Sequence, residues 1–161
     1  MSDSPWGPES LPALALAPER TFEGFLGLDW IEVTPTSARV RFQTRDNLKQ
    51  PFGLLHGGII AAVAESVASV ATVHAVWADG CSAAGLRNSA SFLRPITSGI
   101  VDVAALLRHR DEREWLWSLE FRDDRRRLCA IVDVMIAVRP AGSGRRAGDL
   151  VPRRGKDRES G

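Results

Sequence analysis

The sequence lacks several features that would mark a specialised class of protein. It contains only two cysteines, Cys81 and Cys129, which are far apart in the chain. Two isolated cysteines cannot form a disulfide framework or a metal cluster, so we expect them to be ordinary small apolar side chains. Metal-ligand spacings and nucleotide-binding glycine loops are missing as well. These absences predict a protein with no metal site and no cofactor of its own.

Long hydrophobic runs and targeting segments are also missing. No apolar run reaches the roughly 18 residues that a bilayer span needs, and polar residues interrupt the most apolar segment, Gly57 to about Trp77. The first residues show no basic patch followed by an apolar stretch, which a secretory signal would have. We therefore expect a cytoplasmic protein that does not contact a membrane.

The net charge of +1 hides an uneven distribution. From Arg139 to the end, seven Lys or Arg stand against three Asp or Glu, whereas the rest of the chain carries 14 against 17. A basic tail can bind nucleic acid, but this one has no aromatic residue to stack on bases. We interpret residues 140–161 as a disordered, solubilising tail and expect no nucleic-acid partner.

A chain of 161 residues is long enough for one domain. We predict an irregular leader over residues 1–22, with a short helix near 14–25, and one folded domain over 23–139. Hydrophobic alternation predicts a hairpin over 26–33 and 38–44, followed after the long apolar segment by strands over 82–94, 100–110, 114–122 and 127–138. Short turns join the last three strands, which should form an antiparallel meander.

The apolar segment between the hairpin and the later strands has a helical period. Bulky residues share one side of this helix, and small residues share the other with the segment's only carboxylate, Glu65. We expect the bulky side to pack on the sheet and the small side to admit a second backbone or a slender ligand. The bulky side is Ile59, Ile60, Val63, Val67 and Val70, and the small side is Gly58, Ala61, Ala62, Glu65, Ala68, Ser69 and Thr72.

A polar, glycine-containing run, Gln50-Pro-Phe-Gly-Leu-Leu-His-Gly-Gly, leads into the helix. A helix N-terminus exposes backbone N–H groups and a partial positive charge, which together can form an oxyanion hole. Gly57 is placed to offer its N–H to a carbonyl oxygen, and His56 or Gln50 to anchor that carbonyl or a water. The alternative is that the glycines only form a turn and His56 only caps the helix.

Glu65 is the candidate general base or nucleophile, because a carboxylate among small apolar residues is costly to bury unless it is paired or used. Ser69, one turn later, either binds the same water or merely tolerates a helix interface. Eight residues separate Gly57 from Glu65, which corresponds to about 12 Å of helix rise. One carbonyl cannot reach both groups in a single chain. This distance predicts a homodimer in which two chains share each of two equal sites.

The run from Gln50 to Ser69, set between a hairpin and a four-stranded meander, resembles the hotdog thioesterases over residues 25–138. The similar branch contains the phenylacetate-pathway, 4-hydroxybenzoyl-coenzyme A and 1,4-dihydroxy-2-naphthoyl-coenzyme A thioesterases, and the glycine-containing run is most like the last of these. The resemblance implies an α+β hotdog fold, in which a curved antiparallel sheet of about six strands wraps around one long central helix.

The resemblance also implies roles for the motif residues in hydrolysis of an acyl- or aroyl-coenzyme A. Gln50 and His56 would position the thioester, the Gly57 N–H would polarise its carbonyl, Glu65 would be base or nucleophile, and Ser69 would assist water. Coenzyme A would enter as part of the substrate rather than as a cofactor.

The family binds coenzyme A at a subunit edge of a homodimer or a dimer of dimers, where cations meet its phosphates. Arg87 and Arg94 are the candidates here, although both fit exposed strand charges equally well. The turn arginines Arg125, Arg126 and Arg127 are further candidates.

Two other functions remain open from the sequence. A non-catalytic hotdog module that senses acyl-coenzyme A would keep the pocket but would not need Glu65. A structural or scavenging protein would need neither.

Overall fold

Residues 17–141 are described in a computed structural model. Six strands form one antiparallel sheet in the order β1-β2-β4-β5-β6-β3, and one 20-residue helix packs against it. The predicted leader and tail lie largely outside the described residues. The elements are α1 (Phe22–Leu26), β1 (Asp29–Val33), β2 (Ser37–Gln43), α2 (Gly57–Val76), β3 (Cys81–Phe92), β4 (Ile100–Arg110), β5 (Glu114–Arg122) and β6 (Leu128–Pro140).

The predicted hairpin is present as β1 and β2, which pair antiparallel. The Thr34 hydroxyl accepts a hydrogen bond from the Ser37 N–H at 2.9 Å and so closes the turn between them. The first strand begins at Asp29 rather than at Leu26. Leu26 instead ends α1 as a buried residue, and Gly27 terminates that helix in the left-handed conformation with φ of 65°.

The predicted meander is also present, since β4, β5 and β6 are neighbours in the sheet. β4 and β5 have the predicted bounds, whereas β6 continues to Pro140 because Cys81 of β3 pairs with that residue. β3 crosses over to the far side of β6 and becomes an edge strand. This placement lays β3 beside α2, where its side chains can contact the helix.

The core lies between α2 and the sheet. Four of the five residues of the predicted bulky side, Ile60, Val63, Val67 and Val70, are buried, and Ile59 is half-buried. Trp117 and Phe121, both fully buried, alternate with more exposed residues along β5 on the opposing sheet surface.

The predicted small side of α2 requires a correction, because Ala68 and Thr72 are fully buried. The Trp117 indole donates a hydrogen bond to the Thr72 hydroxyl at 2.9 Å, and that hydroxyl donates to the Ala68 carbonyl at 2.7 Å. The sheet therefore covers more of the helix circumference than a stripe of bulky residues indicates. The side left open consists of Gly58, Ala61, Ala62, Glu65, Ser69 and Val73.

The prediction that this segment is too short for a membrane span was also wrong. By length and composition alone, Gly57–Asp79, with a mean hydropathy of 1.8, passes for one. In the fold, 56% of its most apolar window is buried, as expected for a core helix wrapped by a sheet.

Candidate functional site

The N-terminus of α2 leaves one backbone donor unused. His56 is the N-cap residue, with extended φ and ψ of −67° and 131°, and its Nδ1 accepts a hydrogen bond from the Gly58 N–H at 2.9 Å. The His56 carbonyl accepts from Ile59 and Ile60. Within residues 17–141 the Gly57 N–H has no hydrogen-bond partner. The cap thus occupies one amide and leaves its neighbour available for an anion.

A cleft of about 350 Å³ opens beside Gly57, and Gln50, Phe92 and Arg94 also line it. The Gln50 side-chain oxygen accepts from the Phe52 N–H at 3.0 Å, which fixes the side chain in the loop. Its Nε2 donor has no hydrogen bond to any residue between 17 and 141. A Cβ on Gly57 would lie 2.9 Å from Cζ of Phe92, so glycine permits this ring to cover the helix N-terminus.

Glu65 and Ser69 line a different cleft, of about 340 Å³, farther along the open side of α2. Glu65 is exposed, and in the described part of the chain its carboxylate accepts no hydrogen bond and forms no ion pair. The burial cost that was expected for this carboxylate is therefore not observed in the single chain. The Ser69 hydroxyl likewise has no partner among the described residues.

The predicted site residues fall into two groups within one chain. Gln50 and Gly57 line one cleft, Glu65 and Ser69 line the other, and the two clefts share no lining residue. The rise of α2 separates the Gly57 N–H from Glu65 by about 12 Å. One chain thus presents two separate clefts, called half-sites, one rich in hydrogen-bond donors and one holding Glu65.

The two candidate phosphate-binding arginines do not lie together. Arg87 is exposed on β3, whereas Arg94 lies beyond the end of that strand at Phe92. The regular pairing stops there, and the N–H groups of Leu93 and Arg94 both donate to the Cys129 carbonyl. The strand residues from Arg87 to Phe92 alone span about 17 Å, so the two arginines lie at different places along the sheet. Only Arg94 of the two lines the cleft beside Gly57.

Arg127, another candidate, is already paired. Its guanidinium lies 2.7 Å from Asp123 and holds the pKa of that carboxyl below its usual value, mainly through the side-chain hydrogen bond. This pairing stabilises the turn between β5 and β6 and leaves Arg127 less available to a ligand.

Three residues near the half-sites were not found by sequence reasoning. A Cβ on Gly85 of β3 would lie 2.9 Å from Glu65 Oε1, and Asn88 donates to the Ala61 carbonyl of α2 at 2.8 Å. Glu23 of α1 lines the cleft of Glu65. Of these three residues, only Gly85 had a signal in the sequence, because a glycine inside a strand pattern often marks a place where another group approaches the backbone closely. Among residues 17–141, no three His, Cys, Asp or Glu side chains are grouped to hold a metal ion.

Comparison with known proteins places this chain in a family. Residues 52–130 match the family model of the thioesterase superfamily. A candidate esterase of Mycobacterium tuberculosis is 37% identical over 113 residues, which cover 68% of this chain and 79% of the relative. Its solved structure matches with a TM-score of 0.72 and 36% identity, over 75% of this chain and 98% of that one.

Two further relatives carry more specific names. The 1,4-dihydroxy-2-naphthoyl-CoA hydrolase of Escherichia coli is 31% identical over 120 residues, covering 74% of this chain and 88% of its own length. The solved structure of a Haemophilus influenzae thioesterase matches with a TM-score of 0.72 and 25% identity, over 77% of this chain and 86% of that one. The predicted fold and enzyme class are confirmed: the chain belongs to the thioesterase superfamily, adopts the hotdog fold and is a thioester hydrolase.

Proposed function

We propose that the protein hydrolyses an acyl- or aroyl-coenzyme A thioester at sites that two protomers of a homodimer build together. The observation that supports this most is the separation of the free Gly57 N–H from Glu65 into two clefts of one protomer. The Gly57 cleft has no carboxylate among its lining residues, and the Glu65 cleft does not contain the free Gly57 N–H. A second protomer that brings its Glu65 to the Gly57 cleft completes both sites of the dimer at once.

In this reaction, the Gly57 N–H receives the negative charge that develops on the thioester oxygen. It lies at the positive end of α2, and the unpaired Gln50 Nε2 lies in the same cleft and holds the carbonyl in position. His56 acts indirectly, because its Nδ1 caps Gly58 and so fixes the helix end that presents Gly57.

Glu65 of the second protomer supplies the attack. As a general base it takes a proton from water, and the hydroxide adds to the carbonyl carbon; as a nucleophile it forms an anhydride that water then opens. In the first route, the proton that Glu65 took from water passes to the departing sulfur as the C–S bond breaks. In the second, coenzyme A leaves as the thiolate and takes up the proton that is released when water opens the anhydride. Both routes yield the free acid and the coenzyme A thiol. Ser69 hydrogen-bonds the attacking water. Hydrolysis consumes only water and changes no oxidation state, so it needs no redox cofactor, and in this proposal Glu65 rather than a metal ion activates the water.

The charge of the clefts supports an orientation for the substrate. Arg94 beside Gly57 is placed to meet a coenzyme A phosphate, with Arg87 a more distant contact on β3. An aromatic acyl group is the proposed preference, because one of the relatives is named for hydrolysis of a dihydroxynaphthoyl thioester. We further propose that two dimers associate as a dimer of dimers in the cytoplasm.

Thiol release from a panel of aliphatic and aromatic acyl-coenzyme A thioesters tests the proposal. We expect saturable release with at least one aromatic member. Calorimetric binding of the same thioesters without any thiol release would identify a sensor instead. If the thioesters neither bind nor react, the proposed coenzyme A chemistry is wrong.

A further inference from the structure

Glu23 places a second carboxylate in the cleft of Glu65, and no step of the proposed reaction uses it. Glu23 is half-buried, and its Oε1 accepts a hydrogen bond from the Ser66 hydroxyl at 3.3 Å. Ser66 is buried on α2, so this bond ties the carboxylate to the wall of the cleft. The other oxygen, Oε2, has no hydrogen bond to any residue of the described chain and remains able to accept one.

The short helix that carries Glu23 is held firmly in place. Leu26 is buried in the core, and the Gly27 N–H donates to the Glu23 carbonyl at 3.1 Å. The Arg45 guanidinium donates to the carbonyls of Phe25 and Leu26 at the C-terminus of α1, where a cation is favourable. α1 therefore forms a fixed side of the cleft, and Glu23 lines the cleft from a defined position.

The remainder of this cleft suits an acyl group better than it suits coenzyme A. Its other lining residues include the apolar side chains of Phe22, Ala62, Val70 and Val73. Glu23 and Glu65 both repel phosphates, whereas Arg94 at the other half-site attracts them. The phosphates are thus directed to the Arg94 side, and the acyl group is left to occupy the cleft between α1 and α2.

We infer that Glu23 determines specificity by accepting a hydrogen bond from a hydroxyl or amino group at the far end of the acyl group. This inference rests on the proposed function, since it assigns the acyl end of the same substrate. A carboxylate in a partly apolar cleft discriminates well between acyl groups with and without a hydrogen-bond donor. An acyl group without a donor removes water from the carboxylate and does not replace the lost hydrogen bond.

The test compares kcat/KM for benzoyl-coenzyme A with that for its meta-hydroxy, para-hydroxy and para-amino derivatives, using the full chain. We expect wild type to favour at least one donor-bearing thioester by about tenfold to a hundredfold. Glu23→Ala should reduce this ratio to about twofold or less, and Glu23→Gln, which keeps the shape and one acceptor, should give an intermediate ratio. Glu19→Gln is the matched control, because Glu19 is exposed and does not line the cleft.

The ratio separates this inference from the proposed function. If wild type hydrolyses every thioester of the panel at a similar rate, Glu23 is not a specificity residue, although the thioesterase chemistry stands. The same conclusion follows if Glu23→Ala and Glu23→Gln keep the wild-type ratio, including the case in which kcat/KM falls by the same factor for every substrate. If wild type releases no thiol from any coenzyme A thioester, the proposed function fails and this inference fails with it. Thermal unfolding of each variant verifies that it is folded.

Discussion

The two faces of α2 differ: one packs against the sheet, and the other carries residues that we propose to be catalytic. On the face against the sheet, Val63, Val67 and Thr72 are fully buried, whereas Glu65 and Ser69 on the open face line a cleft. A period of about 3.6 residues allows this division within one turn, since positions four apart stay on the same face. Changes on the open face should therefore alter turnover, and changes on the buried face should alter stability.

The largest expected effect comes from the open face. Glu65→Ala should lower kcat at least about a hundredfold, because it removes the carboxylate that we propose to activate water or to attack the carbonyl. The unfolding temperature should stay close to wild type, since Glu65 is exposed and makes no hydrogen bond to residues 17–141. Thiol release and thermal unfolding measure the two quantities. Glu32→Ala, which removes an exposed carboxylate from β1, is the control. Wild-type turnover in Glu65→Ala would remove Glu65 from the mechanism.

A smaller effect is expected where the open face meets β3. Gly85→Ala would place a Cβ 2.9 Å from Glu65 Oε1, so the carboxylate must move although it is still present. We expect kcat to fall about tenfold or more, because catalysis tolerates little displacement of a reacting group. Ala84→Ser adds one atom at the neighbouring exposed position and should leave kcat unchanged. Equal kcat for both variants would mean that catalysis does not require the Glu65 carboxylate to lie against Gly85.

The buried face should give the smallest change in turnover and a measurable change in stability. Thr72→Val leaves the Trp117 indole N–H without its partner, at a cost of about 1–3 kcal/mol in the free energy of unfolding. Denaturant unfolding of Thr72→Val, Trp117→Phe and the double variant should show a double variant less destabilised than the sum of the single variants. If Thr72→Val lowers kcat as far as Glu65→Ala does, the division between the faces is wrong.

The elements of the fold could be predicted because their signals are local. β4 and β5 have the predicted bounds, since alternating side chains and short turns define them. The start of β1 was misplaced because Leu26, which fits the strand pattern, is used to anchor α1 instead. Ala68 and Thr72 were assigned to the wrong face because residue size indicates where a helix packs, but the extent of the covering sheet is a property of the whole fold.

The separation of the two groups of candidate site residues was predictable, because helix geometry alone decides it. The distance between Gly57 and Glu65 follows from their spacing in the sequence, and the structure places them in separate clefts. The contacts of Glu65 with Gly85 and of Ser66 with Glu23 join residues 20 and 43 positions apart. No local pattern specifies such pairs, because they depend on where β3 and α1 dock against α2.

The most direct test of a site shared between protomers uses mixed dimers of Gln50→Ala and Glu65→Ala chains. The two chains carry different affinity tags, are co-expressed, and are purified through both tags under conditions in which the protein is dimeric, so that only mixed dimers remain. If each site takes its Gln50 loop from one chain and Glu65 from the other, one site of every mixed dimer is intact. We predict thiol release at about half the wild-type rate per dimer, although each parent is nearly inactive. Mixed dimers as inactive as their parents would contradict the shared site, because both sites would then carry a defect.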